Sequence, residues 1–189
     1  MPRTKTSPVI PHLLREQANA VQLYLQYKGY HWNVAGPLFR DLHLLFDEHA
    51  KTVFDTIDPL AERQRMLGAA AEYTMADLSA ATVLAREASL PPTTRMMIER
   101  LISAHRTVIE GMHEGIKAAE LEGDPGTADL FVRFVQEHQK MEWFLREIAS
   151  EVPPMPEDVG RLIVPTEKGG ALPPPMTPHG PPPGRQSKP

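Results

Sequence analysis

Four side chains in one stretch of this chain have the types and spacing to hold a metal ion: His43, Asp47, Asp58 and Glu62. His43 and Asp47 are four residues apart, as are Asp58 and Glu62, and side chains at that interval share one face of an α-helix. The 11 residues from Asp47 to Asp58 make about three turns, which returns the second pair to the same face. One helix still cannot close all four on one ion. His43 and Glu62 are 19 residues apart, about 28 Å along the axis, whereas a ligand atom sits about 2 Å from its metal. The midpoint of His43 and Glu62 is also that of Asp47 and Asp58, between residues 52 and 53. Two copies crossing antiparallel about a two-fold axis there bring His43 toward the other copy's Glu62, and Asp47 toward its Asp58. Two equivalent sites result, as an isologous contact requires. His31, just before Gly36-Pro37, can fold back beside His43 as a further ligand. Imidazole and carboxylate with few soft donors suit iron, manganese or zinc, and open positions at an iron site would admit peroxide or dioxygen. A plainer reading stands beside this one: such pairs also occur as solvated helix faces, and Asp58 and Glu62 could serve only Arg63 and Arg65.

The elements that must position these residues are helices. From Val9 to Ser150 the apolar spacing is helical almost everywhere, and no strand-like alternation persists. A first segment, about residues 8–34, places Leu13, Leu14, Ala18, Val21, Tyr24 and Leu25 on one stripe, and Gly36-Pro37 breaks it. A second runs from about Leu38 to Leu67 and stops at Gly68. A short helix over about 74–85 occupies the connection, closed by Pro91-Pro92. The third long segment covers about 93–122, and the fourth about 127–150, with Thr127 or Gly126 as its cap. Four long helices with a short one in the middle crossover make an all-α bundle of the ferritin-like kind.

Composition bounds the rest. The 189 residues make one domain with tails: 9–150 is the bundle, while 1–8 and 151–189 flank it. Twelve of the 20 prolines fall in 151–189, a stretch too poor in apolar residues to bury a core. Cysteine is absent, which excludes thiolate metal sites and cysteine nucleophiles. No apolar run has the length of a secretory core or a membrane span, so a cytoplasmic protein without membrane contact is expected. A net charge of −4 argues against a body that holds nucleic acid by bulk charge.

The stretch HWNVAGPLFRDLHLLFDEHAKTVFDTIDPLAERQRMLG (31–68) resembles the signature of the Dps family, the small ferritins known as DNA-binding proteins from starved cells. AELEGDPGTADLF (119–131) and HQKMEWFLRE (138–147) are similar to its later segments, and the likeness covers about 10–150. The resemblance implies a hollow dodecameric shell that oxidises Fe(II), preferably with hydrogen peroxide, and stores the ferric product. It implies a ferroxidase site of His31, His43 and Asp47 from one subunit, with Asp58 and Glu62 from another. It places Trp32 beside that site as an electron conduit, with core packing as the alternative. Gln139 stands where many relatives have Glu, a change to which no function attaches.

The same resemblance sets Asp124 and Asp129, around the third-to-fourth turn, at acidic iron-entry pores on three-fold axes, although Asp124 could instead cap or turn the chain. Glu48 could pass iron inward or remain a surface carboxylate. His138 and Glu142 are either a second metal face or a packed pair, and His12, His49, His105, His113 and His179 have no assigned role. DNA is a weakly supported partner. Residues 1–8 offer Arg3, Lys5 and the amine, and the charges of 151–189 cancel, although many copies on a shell could act by avidity. Association with a nucleoid would follow only from that. Two rivals therefore accompany the iron-storing oxidase: a DNA-organising protein with a secondary metal site, and a bundle holding zinc or manganese structurally.

Overall fold

The computed structural model of the protein describes residues 7–85 and 93–150. Most of the proposed tails, His179 and the Pro91-Pro92 stop lie outside the described residues. Five helices follow in order: α1 (Ile10–Asn33), α2 (Phe39–Met66), α3 (Met75–Ala81), α4 (Thr94–Leu121) and α5 (Pro125–Ala149). No strand occurs among the described residues, and none of their helices is long and apolar enough to cross a membrane. The packing is chiefly α1 on α2 and α4 on α5. α1 meets α4, α2 meets α5, and α3 lies against α1.

The helix ends follow local chemistry. Gly68 (φ +85°) and Gly123 (φ +69°) supply the left-handed residue that closes α2 and α4. Past Gly68, the Ala69 N–H donates to the Gln64 carbonyl at 3.0 Å; past Gly123, the Asp124 N–H donates to Ala119 at 2.9 Å. Asp124 then starts α5: its carboxylate accepts from the Thr127 N–H at 3.0 Å. The cap of α5 is therefore neither Thr127 nor Gly126. The turn has no spare residue, so the end of one helix and the cap of the next coincide.

The buried face of α1 also differs from the expected stripe. Leu13, Gln17, Ala20, Leu23, Tyr27 and Tyr30 point inward, whereas Leu25 is 44% exposed. Counting apolar residues alone missed a stripe that contains Gln17 and two tyrosines. Its polar members are satisfied: Gln17 accepts from Gln64 at 2.8 Å and donates to the Glu72 carbonyl at 2.9 Å. Asn19 accepts from the Thr82 hydroxyl and the Val83 N–H, tying the crossover to α1.

α4 approaches its neighbours through two glycines. A Cβ at Gly115 would lie 2.5 Å from the Phe131 ring, and one at Gly111 would overlap the buried Glu16 carboxylate. Gly115→Ala gains helix propensity but overpacks a ring that has no free space. We expect a net loss of about 1–3 kcal/mol, visible as an earlier urea midpoint.

Candidate metal centre

His31, in the last turn of α1, and His43, in the second turn of α2, face each other across the Gly36-Pro37 turn. Their rings stack with centroids 3.7 Å apart and planes 20° from parallel. His31 Nδ1 lies 2.7 Å from the His43 carbonyl, and His43 Nδ1 lies 2.8 Å from the His31 carbonyl. A carbonyl can only accept, so each Nδ1 carries the proton and each Nε2 keeps its lone pair. That is the tautomer and anchoring a metal-binding imidazole needs.

Asp47 follows one turn after His43. Its Oδ1 accepts from Lys28 Nζ at 2.6 Å, and this ammonium holds the carboxyl below its ordinary value against a smaller opposing effect of desolvation. Lys28 also lies 5.9 Å from the centroid of the Trp32 ring. Trp32 is 68% exposed, so it packs on this face rather than in the core. The spacing of metal-ligating residue types does not pick out Lys28; its place three residues before His31 is the signal the sequence carries.

Asp58 and Glu62 are exposed farther along the same helix, and neither side chain has a hydrogen bond or ion pair to another described residue. The arginines that might have claimed them are engaged elsewhere. Arg63 donates to Asp124 at 2.5 Å and to the Thr127 hydroxyl at 2.9 Å, and Arg65 donates to the Ala69 carbonyl. Within one chain, then, the structure brings together His31, His43 and Asp47 and leaves Asp58 and Glu62 apart. No tight group of three or more such donors forms among the described residues. Between the two sets the face is mixed, with an exposed Lys51–Asp55 pair beside an aromatic contact. Phe54, 55% exposed, packs on Tyr24 at 5.3 Å, beside a hollow of about 210 Å³ lined by Tyr24, Lys28, Asp47, Ala50, Lys51 and Phe54.

The remaining candidates separate clearly. Asp124 is largely buried, and although burial raises its carboxyl pKa, the Thr127 and Arg63 bonds outweigh this and hold it low. Asp129 is exposed, with Arg133 at 3.6 Å. Glu48 sits at the mouth of a hollow that reaches His49. His138 and Glu142 are packed, not a metal face: Glu142 pairs with Arg106 and Arg146, and His138 Nδ1 lies 2.9 Å from His105 Nδ1. His12 lies against Arg15, and His113 is exposed.

Known proteins share this architecture. The ferritin-like domain family matches residues 10–155. DNA protection during starvation protein 1 of Deinococcus radiodurans is 32% identical over 74% of this chain and 67% of its own length. The crystal structure of Dps from Thermosynechococcus elongatus is 48% identical, with a TM-score of 0.74 over 76% of this chain and 90% of that one. Dps from Vibrio cholerae, described as a member of a broad superfamily of ferritin-like diiron-carboxylate proteins, is 26% identical, with a TM-score of 0.73 over 77% and 91%. With a ferritin-like match across most of its length and Dps proteins among its relatives in both sequence and structure, the chain belongs to the Dps family.

Proposed function

We propose that the protein takes up ferrous iron, oxidises it at sites shared by paired subunits, and stores the ferric product in the cavity of a hollow homododecamer. The observation that carries this reading is the His31–His43 pair, whose two Nε2 lone pairs are left for a ligand beside the Asp47 carboxylate. The exposed and uncommitted Asp58 and Glu62 support it, because they occupy the positions a two-fold axis between residues 52 and 53 would carry onto Asp47 and His43. The exposed Phe54 side chain, packed on Tyr24, gives that axis an apolar contact to bury.

In this reading ferrous iron binds first to His31 with Asp58 and Glu62 of a second subunit. A second iron, or a water, bridges toward His43 and Asp47, whose carboxylate the Lys28 ammonium holds by a hydrogen bond at 2.6 Å. Anionic oxygens favour the ferric product. Two ferrous ions give the two electrons that, with two protons, reduce one peroxide to two waters, so hydroxyl radical is not released. Trp32 stands exposed on this face to pass an electron. Exposed Asp129, together with Asp124 held by Arg63, draws iron toward an entry pore. Removing iron and peroxide together protects DNA without holding it.

Stopped-flow absorbance of iron-free protein, loaded anaerobically with ferrous iron and mixed with peroxide, tests the reading. Rapid formation of a soluble ferric core is expected, and it is lost in the His31→Ala, Glu62→Ala double variant. Equal, slow oxidation by both proteins would leave a structural metal site or a DNA-organising role in its place.

A further inference from the structure

A chain of hydrogen bonds crosses the bundle centre and takes one residue from each long helix. His49 Nδ1 lies 3.1 Å from the Tyr27 hydroxyl, that hydroxyl lies 2.5 Å from His105 Nε2, and His105 Nδ1 lies 2.9 Å from His138 Nδ1. All four residues are buried. Leucine or phenylalanine fills such space without polar groups to satisfy. Here four titratable groups fill it, and His138 Nε2 has no hydrogen-bond partner among the described residues. None of them belongs to the donor set described above.

The arrangement suits one kind of chemistry. A buried phenol gives up an electron readily only if its proton leaves at the same time, and the Tyr27 hydroxyl is fully buried between the His49 and His105 rings, with His105 the nearer. His105 does the receiving. Burial holds the His105 imidazole well below its ordinary pKa and the Tyr27 phenol well above its own. The ground state is therefore a neutral phenol facing a neutral imidazole across a short hydrogen bond. With Tyr27 as donor, His105 Nε2 is the acceptor, and His105 Nδ1–H in turn faces His138 Nδ1. Tyr27 is also close to the metal face. It precedes His31 by four residues on α1, about 6 Å along the axis. Phe46, three residues after His43, packs at 6.1 Å from the Tyr27 ring and 6.4 Å from Tyr30.

We propose that Tyr27 is a one-electron donor to the shared metal site, with His105 as its proton acceptor, used when peroxide meets a site holding a single ferrous ion. The proposal rests on the ferroxidase reading. One ferrous ion supplies one electron and Tyr27 the other. The peroxide O–O bond breaks, and with two protons from solvent both oxygens leave as water. The phenolic O–H bond breaks as its electron goes to the site and its proton to His105 Nε2. The products are ferric iron, two waters, a Tyr27 radical and an imidazolium. A later ferrous ion returns an electron to Tyr27, His105 returns the proton, and the pair is reset. Without a second electron, a single iron reduces peroxide by one electron and releases hydroxyl radical, and a spectrum unchanged by tyrosine deuteration would assign that electron to Trp32 instead.

Freeze-quenched electron paramagnetic resonance of the full chain, loaded with one ferrous ion per site and mixed with hydrogen peroxide, tests the proposal. A radical is expected whose spectrum narrows when the protein is grown on ring-deuterated tyrosine. Tyr27→Phe should abolish it, while Tyr24→Phe and Tyr30→Phe should keep it, and spin-trapped hydroxyl radical should rise several-fold in Tyr27→Phe. His105→Phe, which keeps a ring but removes the proton acceptor, should cut the radical yield several-fold. No radical, a spectrum indifferent to tyrosine deuteration, or an undiminished signal in Tyr27→Phe overturns the proposal. If Tyr27→Phe fails to assemble, an undiminished signal in His105→Phe does so instead. Iron oxidation read in the same samples separates the two claims. Ferric product without a Tyr27 radical removes only this inference, whereas no ferric product removes the ferroxidase reading as well.

Discussion

His31→Ala protein and Glu62→Ala protein should each oxidise ferrous iron at least about 100-fold more slowly than the native protein, and mixing their subunits should restore activity that neither has. Losing even an outer-shell partner of a metal ligand costs about 10–100-fold in affinity or activity, and these are proposed as direct ligands. The recovery is the sharper expectation. If each site takes His31 from one chain and Glu62 from the other, a mixed dimer has one doubly damaged site and one intact site. Random reassembly of equal amounts makes about half the dimers mixed, so about one site in four is intact. Co-refolding the two variants and measuring peroxide-driven oxidation decides the matter. A mixture as inactive as its components would place both side chains in one subunit's site, or neither in any.

The second large effect is on acid stability. Burial pushes the His138 imidazole down from its ordinary 6.5 to about 4. Between those values an unfolded chain takes up a proton that the folded chain refuses. Stability is therefore complete above about pH 6.5 and falls steadily as the pH drops toward 4. Over that span one such histidine accounts for about 3 kcal/mol. His49, also lowered to about 4, acts in the same direction. His138→Phe should start lower at neutral pH, because His105 Nδ1 loses its partner at a cost of about 1–3 kcal/mol, yet lose less on acidification. Urea midpoints at pH 7 and pH 5 for both proteins give the comparison. Parallel losses would mean that His138 is already charged in the fold.

Much of this architecture is legible in the sequence, and particular residues show where legibility stops. Gly68 and Gly123 end helices because their roles are local, and a C-terminal glycine reads the same in any context. Asp124 was harder to read because it caps one helix while ending another, and cap rules applied to the downstream segment alone point to Thr127. The approach of His31 to His43 follows from two helices joined at Gly36-Pro37, whereas the tautomer of each ring depends on where the other's carbonyl falls. Lys28 reaches Asp47 across that same pairing, and helical spacing on either segment alone cannot show it. His49 does fall on the apolar stripe of Leu42, Phe46, Val53 and Leu60, so its burial could have been inferred from period alone. Its partner on α1 could not.

The polar chain at the bundle centre also bears on how the helices choose their alignment. Leucine surfaces slide: a bundle packed only with aliphatic side chains offers several alignments of similar energy. Here the Tyr27 hydroxyl must meet His105 while His105 meets His138. Moving α5 by one turn carries His138 about 5.4 Å along the axis and strands polar atoms where no water reaches them. Each misaligned packing is penalised by groups left unpaired in a dry interior, so the histidines act as a key that only one register of the four helices fits.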